Sequence, residues 1–152
     1  MIEPASDSEE ERTSILVVED EILVRYVICD YLRDCGFHVI EAGTADEALE
    51  YLRSHNDVGL VFSDVRMPGS LDGIGLSQQV RLLYPHIPVI LTSGHLLPGE
   101  IDGTPLMTKP YVLGDVAQKI RAILDDAGGG FTSNSEAVDR KSTRLNSSHM
   151  SI

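Results

Sequence analysis

The stretch Val58-Gly-Leu-Val-Phe-Ser-Asp64, followed at once by Val65-Arg-Met-Pro-Gly69, limits the fold more than any other part of the chain. A short apolar run of this kind suits a buried strand, and Pro68 with Gly69 breaks it into a loop. The run delivers one carboxylate, Asp64, to its C-terminal end. In open α/β sheets ligand chemistry lies outside the carboxyl ends of the parallel strands, so an acid placed there is positioned for work. Asp is equally a favoured turn residue, and on this stretch alone a solvated turn cap accounts for it as well.

Four further runs repeat the pattern. Ser14-Ile-Leu-Val-Val18 is a strand buried on both faces that ends in Glu19-Asp20-Glu21, three acids that repel one another unless something cationic sits among them. Ile22 to Asp34 carries Val24, Val27, Ile28, Tyr31 and Leu32 at helical spacing and is stopped by Gly36. Phe37-His-Val-Ile-Glu41 is the second strand, and Thr44-Ala-Asp-Glu47 is a capping box opening a helix to about Ser54, with Ala45, Ala48, Leu49 and Leu52 on its core face. After the central strand, Leu71-Asp-Gly leads into a helix ending near Tyr84. Ile87-Pro-Val-Ile-Leu91 is a fourth strand running into Thr92-Ser-Gly-His95. Leu96 to Gly103 holds one Pro and two Gly where a fourth helix is due, so that helix is short or absent. Thr104-Pro-Leu-Met-Thr108 is a weak fifth strand, expected at an edge because of Pro105, and it ends in Lys109-Pro110. A last helix spans about Val112 to Asp126, with Val116, Ile120, Ile123 and Leu124 inward. Strands alternating with helices predict a doubly wound parallel sheet in the flavodoxin-like order 2-1-3-4-5, with helices on both faces.

The 152 residues suffice for one domain with a proper core, expected over 12–127. Residues 1–11 carry five acids and no base and are expected to form a flexible leader. Residues 128–152 are expected to form a disordered tail. Within it, Asp139-Arg-Lys-Ser-Thr-Arg-Leu-Asn-Ser-Ser-His149 resembles one reading frame of a sequencing-library adapter, so 139–152 are expected to be read-through of library DNA, leaving the natural C-terminus undefined. A formal net charge of −12 argues against non-specific binding to nucleic acid or anionic membrane. With no long apolar run and no basic-then-apolar start, a cytoplasmic protein is expected. Cys29 and Cys35 lie in one predicted helix without zinc-ligand or Cys-x-x-Cys spacing, so they read as reduced thiols.

Four strand ends thus converge on one edge. Glu19 and Asp20 come from the first strand, Asp64 from the third, Thr92 and Ser93 from the fourth, and Lys109, one of three lysines, from the fifth. Crowded carboxylates raise one another's pKa unless a divalent cation is present, and hard oxygen ligands suit Mg²⁺, or Mn²⁺ in its place. An ammonium opposite acids is what a transferred phosphoryl group needs.

On these residues the chain, from about Ser14 to Leu124, resembles the receiver domain of two-component response regulators. The likeness is carried by Glu19-Asp20 after Ile-Leu-Val-Val, by Asp64 in Phe-Ser-Asp-Val-Arg-Met-Pro-Gly, by Thr92 in Pro-Val-Ile-Leu-Thr-Ser-Gly, and by Lys109 in Met-Thr-Lys-Pro-Tyr. The resemblance implies a bacterial signalling domain in which Asp64 accepts a phosphoryl group from the phosphohistidine of a histidine kinase or histidine phosphotransfer protein. Asp20, Asp64 and the Arg66 backbone carbonyl would hold Mg²⁺ directly, and Glu19 would act through water. Lys109 would pair with phosphoryl oxygens, Thr92 would turn its hydroxyl toward them, and the Lys109-Pro110 bond would be cis. Arg66, Ser93 and Gly94 sit where receivers tune acyl-phosphate lifetime, and Arg66 either screens the site from water or lies along the surface. His95 reads as a solvated loop residue, and neither it nor His38, His55, His86 or His149 has ligand spacing.

The chain also departs from the family. Leu106 stands three residues before the lysine, where receivers commonly carry a switch aromatic, and Tyr111 does not simply replace it. The 96–103 loop is expected to be mobile and to order on phosphorylation or partner binding. Besides self-phosphorylation and slow autodephosphorylation, no enzymatic activity on an outside substrate is expected, and the output partner is not specified. A receiver detached from a hybrid histidine kinase or a longer regulator is the nearest alternative. An aspartate-nucleophile phosphatase would need an acid where Arg66 stands, and a flavodoxin-like cofactor binder would need a phosphate-cradling loop where Glu19-Asp20-Glu21 stands.

Overall fold

The computed structural model describes residues 13–94 and 99–127. The leader, the tail with its adapter-like stretch, His95 and His149 lie outside the described residues, as do residues 96–98 of the loop expected to be mobile. Six strands, β1 (Ser14–Val18), β2 (His38–Ala42), β3 (Val58–Asp64), β4 (Val89–Ser93), β5 (Gly99–Ile101) and β6 (Thr104–Thr108), form one sheet in the order β2-β1-β3-β4-β6-β5. Its first five members are parallel, which is the expected 2-1-3-4-5 arrangement, and β5 is added antiparallel at the rim. Four helices, α1 (Ile22–Asp34), α2 (Ala45–Ser54), α3 (Gly73–Leu83) and α4 (Leu113–Ala127), cover the two faces.

Period-two alternation along the strands divides the core. Ile15, Val17, Leu60, Phe62 and Ile90 point into a cluster with Ile28 and Leu32 of α1 and Val116 and Ile120 of α4. Leu16, Val18, Val61, Leu91 and Leu106 point into the other, with Ala48 and Leu52 of α2 and Leu76 and Val80 of α3. Each fully buried Leu, Ile or Val contributes on the order of 1.5–3 kcal/mol, so these two clusters supply much of the burial that holds the fold together.

Local chemistry sets the helix ends. The Glu47 amide donates to Thr44 Oγ1 at 3.1 Å, one half of the expected capping box, while the Glu47 carboxylate accepts from the Gly43 amide at 2.7 Å rather than from Thr44's own. The Asp72 carboxylate caps α3 by accepting from the Gly75 amide. Gly36, at φ +100°, takes the left-handed conformation that ends α1.

Two expectations are corrected. The fourth strand runs Val89–Ser93, two residues later than Ile87–Leu91, because Pro88 has no N–H to give to the ladder and only its carbonyl is used, by the Val61 amide at 3.0 Å. Thr92 and Ser93 are therefore strand residues. The strand Thr104–Thr108 is also not at the edge, since β5 pairs outside it. Pro105 is tolerated because the parallel ladder with β4 opens only at Leu106. In place of the missing helix, the described residues form a hairpin closed by Asp102 (φ 52°) and Gly103 (φ 79°), the two-residue turn that Asp-Gly favours. Arg81 of α3 grips that hairpin through the Asp102 carbonyl and Thr104 Oγ1.

At the opposite rim Asp57 ties three elements together. Its carboxylate accepts from Ser14 Oγ at 2.7 Å and from the Tyr51 hydroxyl at 3.0 Å. Ser14 has only one hydroxyl proton and gives it to Asp57, so in its 2.7 Å contact with His38 Nδ1 the imidazole must be the donor. Burial pushes the Asp57 pKa up, but the bonds from Ser14 and Tyr51 outweigh it and leave the carboxyl below its usual range. A depressed acid contributes stability that is present above its unfolded pKa and lost as pH falls through the folded one. Asp57→Ala should therefore cost about 1–3 kcal/mol in urea unfolding at pH 7, and the gap should narrow below about pH 4. An equal penalty at both pH values would contradict this.

Candidate functional site

The strand ends are pinned to one another by backbone hydrogen bonds before any side chain contributes. The Glu19 amide donates to Ala42 O at 3.1 Å, the Val65 amide to Thr92 O at 2.8 Å, and the Lys109 amide to Ser93 O at 2.8 Å. Asp64 lies directly across from Thr92, and Ser93 from Thr108. Glu19, Asp64 and Thr92 share strand parity with Val17, Phe62 and Ile90, which places them on the α1/α4 face.

At this rim Glu19, Asp20 and Asp64 each offer a carboxylate oxygen, all within 4.8 Å of one another. Glu19 is buried, Asp64 half-buried and Asp20 exposed. Lys109 Nζ stands 3.4 Å from Asp64 Oδ2 and 3.6 Å from Glu19 Oε1, so one ammonium faces two of the three acids. Burial pushes the Glu19 carboxyl above its usual range, only partly offset by the Glu21 amide and by Lys109. Asp64 is raised likewise, first by burial, with Lys109 opposing. Hard oxygen donors, mutual repulsion and a solvent-facing side fit a divalent cation such as Mg²⁺.

The backbone around Asp64 is tightly built. A Cβ on Gly73 would lie 2.0 Å from the Asp64 carbonyl oxygen, so the start of α3 can press against the acid-bearing loop only as glycine. This close approach has no signal in the sequence beyond the glycine itself. The Lys109–Pro110 peptide bond is cis. Thr92 and Ser93 are buried, Gly94 is exposed beside Lys109, and the Arg66 side chain is exposed. Strand parity places Leu106 on the far face, among the residues packed by α2 and α3. Tyr111 is instead buried on the site's own face, edge-on to Phe62 at 6.2 Å between ring centroids.

The sequence model of the response regulator receiver domain matches residues 15–100, more than half of the chain. The chain belongs to the response regulator receiver family. An NtrX-like response regulator of Rickettsia felis is 38% identical over 82 residues, 53% of this chain and 17% of that protein. The crystal structure of the receiver domain of NtrX from Brucella abortus is 30% identical, with a TM-score of 0.65, covering 73% of this chain and 98% of that one. The crystal structure of the receiver domain of the hybrid histidine kinase CckA is 33% identical, with a TM-score of 0.63 and the same two coverages, 73% and 98%. This receiver thus spans about a sixth of the length of the first curated relatives it matches. No helix among its described residues is long and apolar enough to cross a membrane.

The raised acids carry a sign. A carboxyl whose folded pKa lies above its unfolded value holds more protons when folded, so it subtracts stability as pH rises from the unfolded pKa through the folded one. In metal-free solution at neutral pH, Asp64→Asn should therefore raise the receiver's thermal unfolding midpoint. A lower midpoint would show that the pairing of Asp64 with Lys109 outweighs its burial.

Proposed function

We propose that this receiver accepts a phosphoryl group at Asp64, from a phosphohistidine on a histidine kinase or histidine phosphotransfer protein, in a Mg²⁺-dependent reaction. The observation that carries the reading is Lys109 Nζ lying between the carboxylates of Asp64 and Glu19 at 3.4 and 3.6 Å. An Asp64 carboxylate oxygen attacks phosphorus in line, the P–N bond to the donor imidazole breaks with its electron pair leaving on nitrogen, and an acyl phosphate remains on Asp64. Lys109, already at the rim, pairs with the phosphoryl oxygens, and Thr92 turns its hydroxyl to one of them. Asp20, Asp64 and the Arg66 carbonyl would hold the cation, with Glu19 acting through water, and the bound ion supplies positive charge against the transferring oxygens. The same residues support phosphorylation by a small phosphodonor without a kinase and slow hydrolysis by water. Arg66 and Gly94, exposed beside the site, and Ser93, next to Thr92, are the residues that would tune the lifetime of the acyl phosphate.

The likeness to the CckA receiver favours a second setting for the same chemistry, a receiver belonging to a hybrid histidine kinase or a longer regulator. A phosphatase of the aspartate-nucleophile kind is disfavoured, because Arg66 cannot protonate a leaving group in place of an acid. The net charge of −12 supports a protein partner over nucleic acid or membrane.

Incubated with a small phosphodonor and Mg²⁺, the wild type should gain one phosphoryl group by intact mass. Asp64→Asn should gain none, and chelating the metal should abolish labelling of the wild type. Equal labelling of both proteins would move the acceptor elsewhere.

A further inference from the structure

We propose that Tyr111 is a positioning residue for this transfer, its buried hydroxyl being a hydrogen-bond donor held for Thr92 in the phosphorylated state. The inference rests on Asp64 being the acceptor and deepens that reading. Tyr111 follows Lys109-Pro110 and folds inward, leaving 6% of its surface exposed. Its ring is fixed against Phe62, two residues before Asp64 on the same face of β3. At the tip of that fixed ring is a hydroxyl that is fully buried and bonds to nothing. Buried polar groups nearly always have a partner, and one without a partner bears its desolvation cost uncompensated.

The surroundings of the hydroxyl say which partner is missing. Burial first, then the negative charges of Glu19 and Asp64, hold the phenol above its usual pKa, so it stays a protonated donor; the Thr92 hydroxyl opposes that shift from nearby, at a contact that falls short of hydrogen-bond geometry in the resting protein. Thr92, 1% exposed, lies directly across from Asp64 and shares its face. A phosphoryl group on Asp64 brings three strong acceptor oxygens and added negative charge. Once the Thr92 hydroxyl donates its single proton to one of those oxygens, its lone pairs are left to accept. The Tyr111 hydroxyl is then the donor at hand. The resulting chain, Tyr111 O–H to Thr92 Oγ1 to phosphoryl oxygen, is of the mutually polarising kind. Tyr111 needs no swing to make it. An aromatic at 106 could not do the same from the opposite face of the sheet, where Leu106 lies.

The test uses the full chain as wild type, Tyr111→Phe, Thr92→Val and the double variant. Each is followed by thermal unfolding without ligand and by titration with beryllofluoride and Mg²⁺, a stable phosphoryl mimic. Removing the idle hydroxyl opens no sizeable cavity, so Tyr111→Phe without ligand should unfold at or above the wild-type midpoint. Its affinity for the mimic should fall about three- to tenfold, the equivalent of one net hydrogen bond. In the Thr92→Val background the same change should have no further effect. The proposal is overturned by unchanged affinity in Tyr111→Phe, by an equal loss in both backgrounds, or by a lowered midpoint without ligand, which would mark a structural role. A wild type that gains no phosphoryl group removes the Asp64 reading and this inference together. A labelled wild type with an unaltered Tyr111→Phe removes the inference alone.

Discussion

Three carboxylates crowded at one rim with a single ammonium among them are a standing electrostatic cost, and the rest of the receiver is arranged around bearing it. Burial withholds from Glu19 and Asp64 the water that would stabilise their charge, and Lys109 returns only part of it. Left to relax, the acids would move apart. They do not, because Glu19, Val65 and Lys109 are each fastened by a backbone amide to the neighbouring strand, and the strands are fixed by two clusters of buried Ile, Leu and Val. The resting site is thus strained electrostatically but rigid geometrically. Negative charge held in place in this way fits a divalent cation without the acids having to be brought together.

The same alternation that builds the core also sorts the functional groups. Glu19, Asp64 and Thr92 share a face with the α1/α4 core, and Tyr111 closes that face from below. Leu106 and the hairpin gripped by Arg81 belong to the α2/α3 side. Leu106 and the site residues therefore lie on opposite faces of the sheet, and β4, which carries Thr92 and Leu91 pointing opposite ways, and its neighbour β6, with Met107 across from Thr92, are common to both. A change in Thr92 is felt by a strand that also packs the far side.

Much of this was legible in the residues. Apolar runs ending in Glu19-Asp20, Asp64, Thr92 and Lys109 need no partner information to be recognised as strands that stop at one edge, because run length and strand-end polarity are local properties. The hairpin is also locally encoded, since Ile101-Asp-Gly-Thr104 is a turn signal in its own right, although the Pro and Gly residues of Leu96 to Gly103 read as a loop in place of a helix. The start of the fourth strand is set by a comparable conflict. An apolar Ile87 continues the hydrophobic pattern, whereas the ladder obeys the missing N–H of Pro88.

What the sequence by itself determined is the order of the five parallel strands and four helices, the parity of those strands and hence which acids, hydroxyl and ammonium reach the rim. What only the tertiary structure decided is how closely they meet and what lies behind them: 3.4 Å from Lys109 to Asp64, the glycine at 73 pressed on the acid's own carbonyl, and a tyrosine hydroxyl buried without a partner. The division follows from range. Periodicity and capping are fixed by neighbours a few residues away, but burial and the desolvation that sets a carboxyl's proton affinity depend on groups brought together from β1, β3, β4 and the turn after β6.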